Sequence, residues 1–452
     1  MRSSQRETTL LEYLIDGPRT SEELRKQLGG ISPATLTRMA SRLEGKVLQL
    51  GKARATVYAR LRGIRGAGNR FPVYRVDEQG DVRQIGELFS IWGGFYWMPS
   101  VPGEKSGRFT SLPWFIQDMR PEGFIGRAFA KRIALEMHLP ERLQDWNDDD
   151  VLTVLSRYGH DCMGNLIVGE EALARYFNFA RELPAPIAAG EVTIEYPRLA
   201  QAALEGDPAG SSAGGEQPKF TAVVERNGGI GNVLVKFSPV VTTAGGRRWS
   251  DLLVCEHLAL DAVRAGGGDA SKSNLIFADD RVFLEVERFD RVGRFGRAPI
   301  FSLGVVDDQY FGFRDNWTAM ADRLESARMV APDAAERLRW LWSFGEMIAN
   351  TDMHFGNASL VLRDAAKPTF ALAPAYDMLP MLYRPRDGEV LPREFTLPLV
   401  ASASRWESAR RQALMFWESA ANDDRISAKF RQICSRNYEL LRAVDAGPRL
   451  II

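Results

Sequence analysis

Asp352 and Asn357 stand five positions apart in the run Asn350-Thr351-Asp352-Met353-His354-Phe355-Gly356-Asn357, and the pair Tyr376-Asp377 follows. These residue types in this order suit phosphoryl transfer, which needs a base for the accepting hydroxyl, oxygen ligands for Mg²⁺, a cation on the phosphates and a backbone cradle. Asp352 can accept the hydroxyl proton, while Asn357 and Asp377 carry the hard oxygens that Mg²⁺ takes alongside phosphate oxygens and water. Asp and Asn also shape turns and helix starts for purely local reasons, so this string by itself leaves a structural reading open.

The remaining parts must come from elements upstream. Asn232-Val233-Leu234-Val235-Lys236-Phe237 reads as a buried strand carrying one lysine, which needs a partner there. From Asp251 to Arg264, apolar residues such as Leu252, Leu253, Cys255 and Leu258 recur at helical spacing, and Glu256 among them can orient Lys236 toward phosphates. A snorkelling strand-end lysine and a solvated helix glutamate are the plainer alternative. Ahead of the lysine, Gly210-Ser211-Ser212-Ala213-Gly214-Gly215-Glu216-Gln217-Pro218-Lys219 is a small-residue loop leading into a strand from Phe220 to Val224. Its glycines let backbone N–H groups close on a phosphate and Lys219 adds charge, although a flexible connection has the same composition. Phe283 to Arg291 is strand-like and then abruptly charged. It fits either a hinge whose Glu287 and Phe289 backbone groups meet an adenine edge or an ordinary exposed strand end.

The ordered set, with Asp352 and Asn357 at the offset of a protein-kinase catalytic loop, resembles the HipA-type serine/threonine kinases, the toxin components of bacterial toxin–antitoxin modules. Arg120-Pro121-Glu122-Gly123-Phe124 and Tyr158-Gly159-His160-Asp161-Cys162-Met163-Gly164-Asn165-Leu166 are similar to that family's N-terminal region, so the resemblance runs from about residue 71 to about residue 420. It implies ATP and Mg²⁺ as cofactors, Asp352 as catalytic base, and Asn357 and Asp377 as metal ligands. It further implies Lys236 on the phosphates, Glu287, Arg288 and Phe289 at the adenine, and His354 and Tyr376 beside the nucleotide. Ala213, Gly214, Gly215, Gln217 and Lys219 would belong to the phosphate loop. Autophosphorylation of Ser211 or Ser212 would expel that loop, because a phosphate adds close to two negative charges where the triphosphate sits. The loop is one residue longer than in the family's best-known member, so both serines remain candidates. The implied substrate is a Ser or Thr of a protein, with an aminoacyl-tRNA synthetase as a first target to try, and a separate antitoxin is an implied partner.

An N-terminal extension precedes the resemblance. Leu10, Leu11, Leu14 and Ile15 share one helical face, Leu24 and Leu28 another, and Gly29-Gly30 leads to Ser32-Pro33, an N-cap followed by proline at the first helical position. The third helix, to about Leu43, buries Leu36, Met39, Ala40 and Leu43 and shows Thr35, Arg38 and Arg42. Val47 to Leu50 and Thr56 to Ala59 read as strands around a basic tip with Lys52 and Arg54. Three helices and a basic hairpin make a winged helix-turn-helix pattern that expects DNA contact through Thr35, Arg38, Arg42, Lys52 and Arg54. Basic residues outnumber acidic ones by about two to one over the first seventy residues, whereas the whole chain has 58 of each. A protein-binding winged helix is the alternative.

The 452 residues, 45% hydrophobic and 26% charged, suit a globular protein of two to three domains. Three dispersed cysteines argue against a disulfide framework and four histidines give little support for zinc. Without a membrane-length apolar run or a hydrophobic signal segment, a cytoplasmic location is expected. The fold class is α+β: a two-lobed HipA/protein-kinase-like body with a mostly helical C-terminal lobe, preceded by a small winged-helix domain. The expected divisions are residues 1–65, 71–205 and 206–452, with a Gly/Arg linker near Gly63 to Arg70. The competing function is a DNA-binding transcriptional regulator, or DNA-acting protein, whose kinase-like body senses nucleotide. A homodimer reading paired half-sites fits either function.

Overall fold

The first sixty residues build a small head around Leu10, Leu14, Leu24, Leu28, Leu36, Met39 and Tyr58. Helices α1 (Ser3–Tyr13), α2 (Ser21–Gln27) and α3 (Pro33–Arg42) enclose this cluster. Strands β1 (Arg19–Thr20), β2 (Val47–Leu50) and β3 (Val57–Arg60) form an antiparallel sheet in the order β1-β3-β2. Local chemistry sets the helix starts. Thr20 accepts from the Glu23 amide while the Glu23 carboxylate accepts from the Thr20 amide at 2.7 Å, and Ser32 caps α3 with Pro33 behind it. Gly29 and Gly30, at φ +81° and +75°, let the chain reverse between α2 and α3. The computed structural model describes residues 3–51, 56–99, 107–181, 185–205, 217–226, 229–397 and 403–444.

The glycine- and arginine-rich stretch that follows is ordered against the body. Leu61 pairs with Ile91, and Ile64 closes onto Gly68. Asp149 accepts from both terminal nitrogens of Arg62 and from the Tyr96 hydroxyl, and Arg60 lies 4.6 Å from the Trp92 ring. The expected hairpin forms from β4 (Arg70–Val76) and β5 (Val82–Ile91). With β6 (Phe95–Trp97), β7 (Arg108–Phe109) and β8 (Leu166–Val168) it makes a sheet in the order β7-β6-β5-β4-β8. Helices α4 (Trp114–Gln117), α5 (Gly123–Met137) and α6 (Asp148–Tyr158) lie between β7 and β8, and α7 (Glu170–Arg181) and α8 (Val192–Glu205) follow.

A second antiparallel sheet, β11-β12-β10-β9, comprises β9 (Lys219–Arg226), β10 (Gly229–Phe237), β11 (Ser273–Ala278) and β12 (Arg281–Glu287), with α9 (Ala244–Ala265) inserted after β10. Its two faces separate by strand alternation. Val233, Val235, Phe237, Phe220 and Phe283 pack against Tyr196 and Ala200 of α8, whereas Leu284 and Val286 meet Leu253 of α9. Lys236, one residue out of phase with Val235 and Phe237, lies on the α9 side and meets Glu256 there.

After the short hairpin of β13 (Arg291–Val292) and β14 (Gly296–Arg297), the chain is mainly helical. Helices α10 (Leu303–Tyr310), α11 (Trp317–Ser326), α12 (Pro332–Met347), α13 (Ala403–Asn422) and α14 (Ala428–Arg442) surround a core that includes Leu338, Phe344, Phe416, Trp417 and Phe430. The sheet β15-β16-β17 joins it, from β15 (Ile300–Ser302), β16 (Ser359–Asp364) and β17 (Thr369–Leu372). The architecture is a mixed helix-and-sheet fold with a helical C-terminal half. Among the described residues, no helix is long and apolar enough to cross a membrane.

Candidate active site

A cleft of about 440 Å³ opens between the β9–β12 sheet and the segment that follows α12. Lys236 and Lys219 are cross-strand partners on β10 and β9, and both are buried. Two buried cations side by side require counter-charge. Lys236 Nζ lies 2.6 Å from Glu256 Oε1 of α9 and also bonds the Asp377 carboxylate. Burial disfavours the ammonium, but Asp377 and Glu256 outweigh it and hold Lys236 above its ordinary value. Asp377 is only half-buried, and against the desolvation this brings, Lys236 and then Lys219 keep its carboxyl below the usual range. Burial pushes Glu256 up despite Lys236, and its Oε2 has no hydrogen-bond partner among the described residues.

The segment from Asn350 to Asn357 is held by its own hydrogen bonds. α12 ends at Met347, and Ala349 takes φ +60° to turn the chain into the loop. The buried Asn350 side chain accepts from the Asp352 amide at 3.0 Å and donates to the Asp377 carbonyl at 3.2 Å. Asn357 Nδ2 donates to the Asp352 carbonyl at 2.8 Å, and the His354 amide donates to the same oxygen at 2.9 Å. Phe355 anchors the loop in the core, and Trp317 Nε1 donates to the His354 carbonyl at 3.1 Å. The Tyr376 hydroxyl donates to the Gly356 carbonyl at 2.8 Å and sits 2.7 Å from Ser359 Oγ, while its ring centroid lies 5.4 Å from that of Phe289.

The structure thus brings Lys219, Lys236, Glu287, Arg288, Phe289, His354, Asn357, Tyr376 and Asp377 to one cleft. Asp352 is half-buried beside it, in the loop it shares with Asn357, and is not among the lining residues. Gln217 does not line the cleft either, and its buried Nε2 has no partner among the described residues. Within the expected hinge, the amides of Glu287 and Arg288 already donate to the carbonyls of Lys272 and Asn232. Among the described residues the Phe289 amide has no backbone acceptor, so of the three hinge amides it is the one open to a ligand edge. The Arg288 guanidinium turns to Asp290 with bonds of 3.0 and 2.9 Å, which makes it structural on that side. Ser211, Ser212, Ala213, Gly214 and Gly215 lie outside the described residues, as do Lys52 and Arg54.

Asn357 and Asp377 fit a hard cation. The Asn357 nitrogen is committed to the Asp352 carbonyl, which leaves its Oδ1 as the coordinating atom, and Asp377 has a second carboxylate oxygen beyond the one on Lys236. Among the described residues no group of three or more His, Cys, Asp or Glu is placed to hold a metal alone. Magnesium sites in nucleotide enzymes draw the missing ligands from phosphate and water.

The cleft also contains residues that motif reading does not assign. Asp118, Arg120 and Glu122, just before α5, line it together with Asp308 and Arg314. Asp118 accepts from the amide and hydroxyl of Ser302 at 2.7 Å each, and burial raises its carboxyl to about 6. Burial also raises Glu122, against the pull of Arg120, Arg314 and His354. Three charged residues alternating with Met119 and Pro121, next to the buried Ile116, are the available signal. In the head, Arg38 is exposed, whereas Thr35 serves the N-cap, 2.9 Å from Ser32 Oγ, and Arg42 reaches Glu7 at 3.6 Å.

Comparison with known proteins adds sequence evidence. The profile of the HipA-like C-terminal domain matches residues 211–443, just over half of the chain, and that of the YjjJ-like toxin middle domain matches residues 67–177. The toxin YjjJ of Escherichia coli (strain K12) is 39% identical over 441 residues, covering 96% of this chain and 98% of its own length. Among solved structures, HipA from the Shewanella oneidensis MR-1 complex with HipB and operator DNA matches 82% of this chain and 96% of its own, at 14% identity and TM-score 0.48. The Helicobacter pylori proinflammatory kinase CtkA matches 50% and 91%, at 11% identity and TM-score 0.35. On the two matched profiles and the full-length relative, the chain belongs to the YjjJ-like toxins of the HipA family.

Proposed function

We propose that this chain is an ATP- and Mg²⁺-dependent serine/threonine protein kinase of the HipA type, fused to a DNA-reading winged helix at residues 1–65. The observation that carries this reading is the convergence of Lys236, Asn357 and Asp377 on one cleft beside Asp352. In this reading Lys236, oriented by Glu256, neutralises charge on the phosphates, and Asp352 orients the incoming hydroxyl and takes its proton. Asn357 and Asp377 would hold Mg²⁺, which when bound neutralises charge on the phosphate oxygens. The Phe289 amide would meet the adenine edge, with Tyr376 and His354 beside the nucleotide. Residues 71–205 and 206–452 would act together, because Asp118, Arg120 and Glu122 from the first face the nucleotide side chains of the second.

The same reading places autophosphorylation on Ser211 or Ser212, and the protein in the cytoplasm with an antitoxin partner. Incubation of the full chain with Mg²⁺ and ATP, followed by phosphosite mass spectrometry on the chain and co-purifying proteins, tests it. Phosphate on Ser211 or Ser212, absent from Asp377→Ala, is the expected outcome. Nucleotide binding without any phosphoprotein would favour a nucleotide-sensing regulator instead. The head is tested separately by gel shift: Arg38→Ala should weaken DNA binding and flatten its salt dependence, and unchanged affinity would remove α3 from the DNA interface.

A further inference from the structure

A second cavity, about 760 Å³ and larger than the cleft, lies between α5–α8 and the β13–β14 hairpin. Its polar lining is dominated by arginine, and the charges there are unevenly compensated. Arg291 and Arg297 are cross-strand partners in the hairpin. Arg291 reaches Asp161 and Asp290 at 2.7 Å each. Arg297 is 3% exposed, yet among the described residues no carboxylate lies within ion-pair distance of it. One of its terminal nitrogens donates to the His160 carbonyl, while Nη1 is buried without a partner among the described residues. Directly opposed like charges are unfavourable, and Arg297 is compensated only in part, by Asp161 beyond ion-pair distance and by the Tyr176 ring 4.9 Å from its guanidinium. Burial and the neighbouring Arg291 push Arg297 down to about 10 against the pull of Asp161, which still leaves it charged at neutral pH.

Nearby groups extend the same chemistry. His160 Nδ1 is also buried and unpartnered among the described residues, and Arg294 is exposed at the hairpin tip. Two aromatic rings, Phe179 and Phe295, line the cavity while remaining 41% and 38% exposed. Exposed rings beside cations favour a ligand that is both flat and anionic. The volume lies within the range of small-molecule sites.

We propose that this cavity is a second ligand site, separate from the nucleotide cleft, which takes a phosphorylated compound bearing a flat ring, the chemistry of a mononucleotide, with its phosphate on Arg297. Arg294 and His160 supply further donors, and Phe179 and Phe295 cover the ring.

The test is calorimetry on the full chain with GMP and with ribose 5-phosphate as probes, in the presence of excess Mg²⁺ and the non-hydrolysable analogue AMP-PNP. GMP should bind despite the analogue, at least ten-fold more tightly than ribose 5-phosphate. Arg297→Leu should weaken GMP at least ten-fold and leave AMP-PNP affinity unchanged. Because Arg297 is buried, the exposed Arg294→Glu serves as a second variant whose fold is not at risk, and it should also weaken GMP. Displacement of GMP by the analogue, equal affinity for the two probes, or GMP affinity unchanged in both variants would overturn the site. Failure of AMP-PNP itself to bind would count against the kinase reading while the GMP result still decides this one.

Discussion

The Asn350 carboxamide joins Asp377 to the Asp352 loop, donating to the Asp377 carbonyl at 3.2 Å while its oxygen holds the Asp352 amide at 3.0 Å. Asn350 and Asp377 are twenty-seven positions apart in the chain, and this buried side chain ties the two segments together. Asn350→Ala leaves both backbone groups without their partner, at a cost of about 1–3 kcal/mol for a buried hydrogen-bonding group. Phosphate transfer should fall by about ten-fold or more, because misplacement by about an ångström is costly in positioning catalysis. A melting curve and a transfer assay on the same preparation check both; unchanged transfer would mean that Asn350 is not what sets the spacing.

The acid limb of stability should depend on Asp377. Its carboxyl is held below its ordinary value of 3.8 in the folded chain, against partial burial, by Lys236 and Lys219. A depressed carboxylate contributes stability that is fully present above 3.8 and is lost as pH falls through the folded value. Lys236 has the opposite sign: held above 10.5, it contributes fully below that pH and loses its contribution as pH rises through the folded value. Asp377→Asn should therefore lower the melting temperature at pH 7 and show a shallower decline below about pH 4. Parallel wild-type and variant curves from pH 2 to 7 would remove Asp377 from the acid transition.

The head should be loosened by one change at its joint. Asp149 takes two bonds from Arg62 and one from Tyr96, and Arg62, 22% exposed at its side chain, follows the bridge that Leu61 makes with Ile91. Asp149→Asn keeps the shape and removes the charge. Trypsin should then cut faster at Arg60, Arg62 or Arg65, without accelerated cleavage in the helical half. Equal rates at those arginines would show that the apolar contacts of Leu61, Phe89 and Ile91 hold the joint by themselves.

Much of the positioning framework is readable from residue pattern alone. The strand around Lys236, the helix carrying Glu256 and the cap at Ser32 each follow from periodicity or from a local side-chain bond; the strand and the helix end fall within three residues of expectation, whereas α9 begins seven residues before Asp251, where Thr243 caps it ahead of the apolar stripe. β1 and β8 escape because strands of two and three residues are too short to show alternation; they exist only because β3 and β4 offer them an edge. The stretch after the head reads as a linker from its glycines and arginines, but Leu61 and Ile64 are buried by a sheet that begins later in the chain. Asp118 and Glu122 in the cleft, and Arg297 opposite Arg291 in the second cavity, are juxtapositions of tertiary structure that no spacing in the chain encodes.

The most direct test is transfer of labelled phosphate from γ-³²P-ATP by the wild-type chain and by Asp352→Ala, each first shown to have the same melting curve. The proposed mechanism expects label on the wild-type chain in the presence of Mg²⁺ and loss of nearly all of it in Asp352→Ala. Undiminished labelling of Asp352→Ala, or a wild-type chain that binds ATP and never transfers its phosphate, would contradict it.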